Sequence, residues 1–172
     1  AILSDTARDN LLAALSDART AGARVSFDPN IRPSLWASKT GIQETIAMFL
    51  EQCDIALPSF DDEQTHWGDQ TPEDTLNRFA AAGLTEVVLK NGADSVAALV
   101  NGTEHLIATP KVTGLRDTSG AGDAFNAGYL SARLQGSGPV EAIRQGQLVA
   151  GEVIQHFGAR IPKSELVKLA QK

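Results

Sequence analysis

With 172 residues, 42% of them hydrophobic, the chain is long enough to bury a substantial core and reads as one domain rather than two. Its formal net charge of −6 argues against a nucleic-acid or polyanion surface, although a local basic pocket can still hold a phosphate. A single cysteine, Cys53, excludes an internal disulfide and a thiolate cluster, which fits a reducing cytoplasm, and no apolar run approaches the roughly 18 residues of a membrane span.

The N-terminus lacks the charged-then-apolar order of a secretion signal. It opens on "AILSD" without an initiator methionine, and Ala1–Leu3 read as the end of an apolar strand, so the chain is expected to enter part-way into something longer. From Asp5, Leu11, Leu12, Leu15 and Ala18 fall at helical spacing, with Ser4 or Asp5 as N-cap and Gly22 as stop. "RVSFD" predicts a short buried strand ending at Asp28, and "PNIRPSLWAS" an irregular loop broken by two prolines. A second helix is expected from about Thr40 to Cys53, with Ile42, Ile46, Phe49 and Leu50 inward.

"DIALPS" predicts a second strand, followed by a short acidic helix, "FDDEQTHWG", and by a helix that Thr71 caps, Pro72 opens and Gly83 closes. "EVVLKNG", "SVAALVNG" and "EHLIATP" are apolar stretches at hairpin spacing, with Gly92 and Asn101-Gly102 as turn residues. "AFNAGYLSARLQG" and "PVEAIRQGQLVAGEVIQHFG" predict two long helices, and "PKSELVKLAQ" a weaker last one. No repeat, low-complexity tract or linker interrupts the chain. Strands alternating with helices predict an α/β fold with a mostly parallel sheet covered on both faces, and ligands then bind beyond the carboxyl ends of the strands. That rule selects the loops at 28–36, 58–63, 90–95 and 114–123.

In the last of these, "DTSGAGDAF", small residues precede Asp123 at the mouth of a helical pattern. Two readings fit. Gly120 and Gly122 form a turn while Asp123 complements the helix dipole, or the free amides of Gly120, Ala121 and Gly122 receive an anion. Asp117 either caps a turn or places the loop or a nearby monovalent cation.

The longer window, "DTSGAGDAFNAGYL" at 117–130, resembles the second signature of the PfkB (ribokinase-like) family of carbohydrate kinases. The resemblance implies a ribokinase-like three-layer α/β/α sandwich, here only its C-terminal half, carrying the nucleotide-binding and catalytic portion over 1–172. It makes Asp123 the general base toward a sugar hydroxyl and the amides of Gly120, Ala121 and Gly122 an anion hole, a coherent arrangement for phosphoryl transfer.

Within that family "FDPNIRPSLW", "LWAS", "HWG" and "KNGADS" resemble the 2-keto-3-deoxygluconate kinases. The resemblance implies ATP and Mg2+ as cofactors and an acid sugar as acceptor. Arg32 would reach the acceptor's carboxylate or the transferred phosphoryl group, Asn30 would lie near the nucleotide phosphates, and Lys90, Gly92 and Ala93 would contact ATP. "PSFDDE" stands where the family carries an Asn-x-x-Glu element for magnesium: Glu63 fits the glutamate, but Phe60 replaces the asparagine, with Ser59 or Asp62 as substitutes.

His66, His105 and His156 are expected at the surface or as caps, Trp36 and Trp67 as loop packing, and Gly158 in "HFGARIP" as a helix stop beside the nucleotide. The alternatives are a sister kinase acting on fructose or ribose, and an inactive nucleotide-binding or interaction module whose open sheet edge pairs with another chain. The expected partners are ATP and a sugar acid, with a homo-oligomer or a complementing N-terminal half, and neither nucleic acid nor membrane.

Overall fold

The computed structural model describes residues 4–169, so the strand end expected at Ala1–Leu3 and the last helix's Ala170 and Gln171 lie outside the described residues. The described chain divides into two compact units, Ala1–Asn91 with Ala97–His105, and Gly92–Val96 with Leu106–Lys172. The sequence carries no linker between them because the chain passes from one to the other inside strand-and-turn segments.

In the first unit, α1 (Asp5–Thr20) is capped by Ser4, whose Oγ accepts from the Ala7 amide at 3.2 Å. The strands β1 (Ser26–Phe27) and β2 (Ile55–Ala56) are shorter than their apolar runs. Pro29 and Pro58, which have no N–H to give to a ladder, follow each of them closely. Between them α2 (Lys39–Leu50) buries Ile42, Ile46, Phe49 and Leu50, and Ser38 caps it through the Gly41 amide at 3.0 Å. It stops at Leu50 rather than Cys53 because the amides of Gln52 and Cys53 fold back onto the carbonyls of Phe49 and Leu50, which tightens the chain for its entry into β2.

The acidic helix α3 (Phe60–Trp67) ends on left-handed Gly68, and α4 (Pro72–Ala81) opens with a reciprocal box between Thr71 and Asp74. The strands β3 (Glu86–Leu89), β4 (Val96–Val100) and β5 (Thr103–Ile107) complete a five-stranded sheet of order β1-β2-β3-β4-β5. β1, β2 and β3 run parallel, and β4 returns antiparallel with Val87 opposite Leu99 and Leu89 opposite Ala97. The core joins Ile42, Ile46 and Leu50 of α2, Leu76 and Phe79 of α4, and Ala56, Val87 and Leu89 of the sheet. Phe79 is completely buried, and its truncation to alanine is worth about 3–5 kcal/mol. The carboxyl ends of the three parallel strands open into the loops at 28–32, 58–62 and 90.

The second unit is built on α5 (Ala121–Leu134) and α6 (Pro139–Val153), with α7 (Lys163–Leu169) after them. The two long helices cross closely because neither Gly128 nor Gly146 has a side chain: a Cβ at Gly128 would meet the Gln145 carbonyl at 2.8 Å, and one at Gly146 the Phe125 carbonyl at 2.9 Å. Two boundaries differ from the sequence reading. α5 starts at Ala121, not Ala124, which moves Asp123 from the loop into the first turn. α6 stops at Val153 rather than at Gly158, because the Ile154 carbonyl turns away to accept the amides of Arg116 and Asp117.

Candidate active site

Within the first unit, the 28–32 loop is held from three directions. Asp28 Oδ2 lies 2.6 Å from Lys90 Nζ, and Asp28 Oδ1 accepts from the Asn30 amide at 3.0 Å. Asn30 takes a left-handed backbone, φ 40°, which the short side chain of asparagine tolerates. Ile31 is buried, and its amide donates to Asp62 Oδ2 at 3.3 Å. Asn30 and Arg32, on either side of that anchor, are both exposed, and Arg32 Nη1 rests on the Ile31 carbonyl at 3.0 Å. Burial raises the Asp62 carboxyl above its ordinary value, an effect the Ile31 amide partly offsets.

Ser59 sits at the N-cap of α3 without giving its hydroxyl to the helix, and it pairs with Lys90 through an isolated parallel bridge. The unit thus gathers Asn30, Arg32, Ser59, Asp62 and Lys90 at one sheet edge. Glu63 is placed differently. It is fully buried, its Oε2 is 2.7 Å from Arg78 Nη2, and its Oε1 has no hydrogen-bond partner among the described residues. Burial pushes its carboxyl up to about 7. Arg78 also binds Asp69 at 2.6 Å and lies 4.6 Å above the Trp67 ring.

A hydrated divalent cation needs oxygen atoms that it or its waters can reach. Glu63, closed to solvent and paired with Arg78, does not fit that need, whereas half-buried Asp62, one oxygen on the Ile31 amide, does. Among the described residues no group of three or more His, Cys, Asp or Glu could enclose a metal. His66, expected at the surface or as a cap, is buried on the inner face of α3, where its ring meets the edge of Trp67; the one-residue register of a short helix decided its direction. Asp28 was missed in the sequence, although a carboxylate two residues before an asparagine turn carries a readable signal.

In the second unit, Gly120 caps α5 in a left-handed conformation, φ 75°, pressed against Ala159: a Cβ there would stand 2.6 Å from that of Ala159. The Ala121 amide donates to the Thr118 carbonyl at 3.2 Å. The amides of Gly122 and Asp123 have no acceptor among the described residues, as expected of a first helical turn. The exposed Asp123 side chain projects from the same turn. Asp117 places this loop: its Oδ1 accepts from the Ser119 amide and its Oδ2 from the Gly158 amide, each at 2.8 Å. Those two amides hold its carboxyl below the usual carboxylate range. Gly92, φ 54°, and Ala93 are exposed in the turn before β4, and the Asp94 carbonyl accepts the Thr109 hydroxyl.

A helix opening with bare amides beside an exposed carboxylate is suited to holding an anion near a base. Residues 1–166 match the pfkB family of carbohydrate kinases. The chain belongs to that family. The 2-dehydro-3-deoxygluconokinase of Escherichia coli K12 is 45% identical over 170 residues, covering 96% of this chain and 55% of the relative. Among solved structures, a PfkB protein from Polaromonas sp. JS666 is 31% identical with a TM-score of 0.77, over 90% of this chain and 49% of the other. Aminoimidazole riboside kinase from Salmonella enterica, complexed with aminoimidazole riboside and an ATP analogue, reaches a TM-score of 0.85 over 99% of this chain and 60% of the other at 24% identity, a likeness of fold. This pfkB chain therefore has the ribokinase-like α/β fold and spans about half the length of the curated relatives it matches.

Proposed function

We propose that this chain supplies the base and the nucleotide side of an ATP-dependent kinase that transfers the γ-phosphoryl group to the terminal hydroxyl of 2-dehydro-3-deoxy-D-gluconate. The observation that carries the reading is Asp123, exposed on the first turn of α5 beside the unbonded amides of Gly122 and of its own residue. Asp123 takes the proton from the attacking hydroxyl, and the Gly120 and Gly122 amides hold the transferred phosphoryl oxygens; the Ala121 amide, turned to Thr118, contributes less than the sequence suggests.

Arg32 pairs its planar fork with the acceptor's carboxylate, which favours an acid sugar over a neutral one. Asn30 lies toward the nucleotide phosphates, and Gly92 and Ala93 leave the backbone open to ATP. A divalent cation would neutralise the β and γ oxygens, and Asp62 with Ser59 beside it fits that ion better than Glu63 does. Asp117, both oxygens engaged by amides, places the glycine loop in this reading.

The test is ATP consumption with 2-keto-3-deoxygluconate, fructose and ribose, measured on this chain alone and with the remaining N-terminal portion of the E. coli relative supplied. Transfer to the acid sugar that falls by at least about a hundredfold in Asp123→Asn supports the assignment. Arg32→Ala should then cost the acid sugar more than the neutral ones. ATP use that ignores Asp123→Asn, or transfer confined to fructose or ribose, overturns the base or the substrate respectively. ATP binding without transfer under either condition favours a non-catalytic module.

A further inference from the structure

Lys90 stands at the carboxyl end of β3, where its backbone is already fixed: its amide donates to the Pro58 carbonyl at 2.9 Å, and its carbonyl accepts from the Phe60 amide at 2.8 Å. The side chain is 10% exposed and its ammonium lies 2.6 Å from Asp28, whose own side chain is 19% exposed. An ammonium so enclosed and paired is poorly placed to meet a ligand's phosphate directly. Its effect passes on instead. The other oxygen of Asp28 binds the Asn30 amide, Asn30 is held in a left-handed conformation, and buried Ile31 follows with its amide on Asp62. A cation from one strand and two carboxylates thus define the backbone that presents the exposed side chains of Asn30 and Arg32.

We propose that Lys90 is a positioning residue: through Asp28 it sets the conformation of the 28–32 loop, and thereby where the Arg32 guanidinium meets the anionic group of the acceptor. The second half of that statement rests on the function proposed above; the first does not. Removing the ammonium takes the 2.6 Å ion pair from the half-buried Asp28 carboxylate, which then draws toward water and releases the Asn30 amide.

The experiment has two arms. In the 172-residue chain, amide hydrogen exchange is followed at Asn30 and Ile31, with the α4 amides as an internal control of folding, in Lys90→Met, Lys90→Arg and Asp28→Asn. Exchange at Asn30 should rise about tenfold or more in Lys90→Met with α4 unchanged, rise less in Asp28→Asn, which keeps an acceptor for the amide, and return toward the wild type in Lys90→Arg. Should Lys90→Met fail to fold, Asp28→Asn decides. Unchanged exchange at Asn30 in folded variants overturns the positioning role.

In the kinase assay with the complementing N-terminal portion, Lys90→Met should raise KM for the acid sugar about tenfold and leave KM for ATP within about twofold. A rise in KM for ATP with the sugar unaffected would make Lys90 a direct nucleotide contact and sink the proposal. If the wild type uses no acid sugar, the substrate reading falls, while the exchange data still decide the positioning role.

Discussion

Asp117 and Gly158, 41 positions apart, meet where Asp117 Oδ2 accepts the Gly158 amide at 2.8 Å. Its other oxygen takes the Ser119 amide, so one carboxylate fastens the glycine loop to the turn that follows α6. The amides lower its pKa, and a depressed carboxyl stabilises the fold above its unfolded value and loses that contribution as pH falls through the folded one. Asp117→Asn, which keeps one acceptor and loses the charge, should therefore melt below the wild type at pH 7. The two melting curves should converge as the pH drops below the ordinary carboxylate range. A gap in thermal midpoint that persists unchanged into acid would show that charge is not what holds the turn.

Gly120 is tied to the same turn. A side chain at this position meets both a left-handed backbone and the Ala159 Cβ at 2.6 Å. Gly120→Ala should cost about 1–3 kcal/mol in urea unfolding and weaken ATP use in the complemented enzyme more than sugar affinity. Ala159→Gly in the Gly120→Ala background removes the 2.6 Å contact but leaves the Ala159 Cα at 2.9 Å and the left-handed strain, so it should restore only part of the loss. No recovery would place the whole cost in the backbone.

Cys53 offers a simpler check. Burial pushes its thiol up to about 12, and Sγ donates to the Ile55 carbonyl at 2.9 Å. A neutral, enclosed thiol reacts slowly because the thiolate is the nucleophile. Modification by a disulfide reagent at pH 8 should be slow in the native chain and fast after denaturation. Rapid native labelling would mean that the segment leading into β2 opens readily.

Much of this was legible in the sequence where local chemistry dictates structure. The cap at Thr71, the turn at Asn101-Gly102 and the glycine loop each follow from residues within a few positions of one another. Long-range choices were less visible. Whether Asp62 or Glu63 reaches the 28–32 loop depends on how α3 is rotated, and adjacent helical positions point about 100° apart. Both residues sit in one acidic run, so their spacing alone could not separate a surface-facing carboxylate from one enclosed by Arg78. Likewise, the early end of α6 depends on the Ile154 carbonyl meeting amides 38 and 37 residues upstream, at Arg116 and Asp117, which no window of periodicity contains.

The Glu63–Arg78–Asp69 cluster yields the last prediction. Burial is the largest influence on Glu63 and raises its carboxyl from 4.5 to about 7, against the lowering effect of Arg78. A carboxyl raised on folding contributes stability that is complete below its unfolded value and is lost as pH rises through the folded one, so the window runs from about 4.5 to about 7. Glu63→Gln should therefore gain on the wild type across that window, by an amount on the order of 2 kcal/mol, read as the difference in urea midpoints at pH 5 and pH 8. Arg78→Met should do the opposite and destabilise more at pH 8 than at pH 5, because without the guanidinium the Glu63 carboxyl is raised further and the fold must hold it protonated or bury an unpaired charge. Because the Arg78 side chain is 28% exposed, the expected loss is about 2–3 kcal/mol, below that of a fully enclosed pair. If Glu63→Gln and Arg78→Met respond to pH in the same sense, the raised carboxyl is not the source of the dependence, and the cluster acts through packing against Trp67 instead.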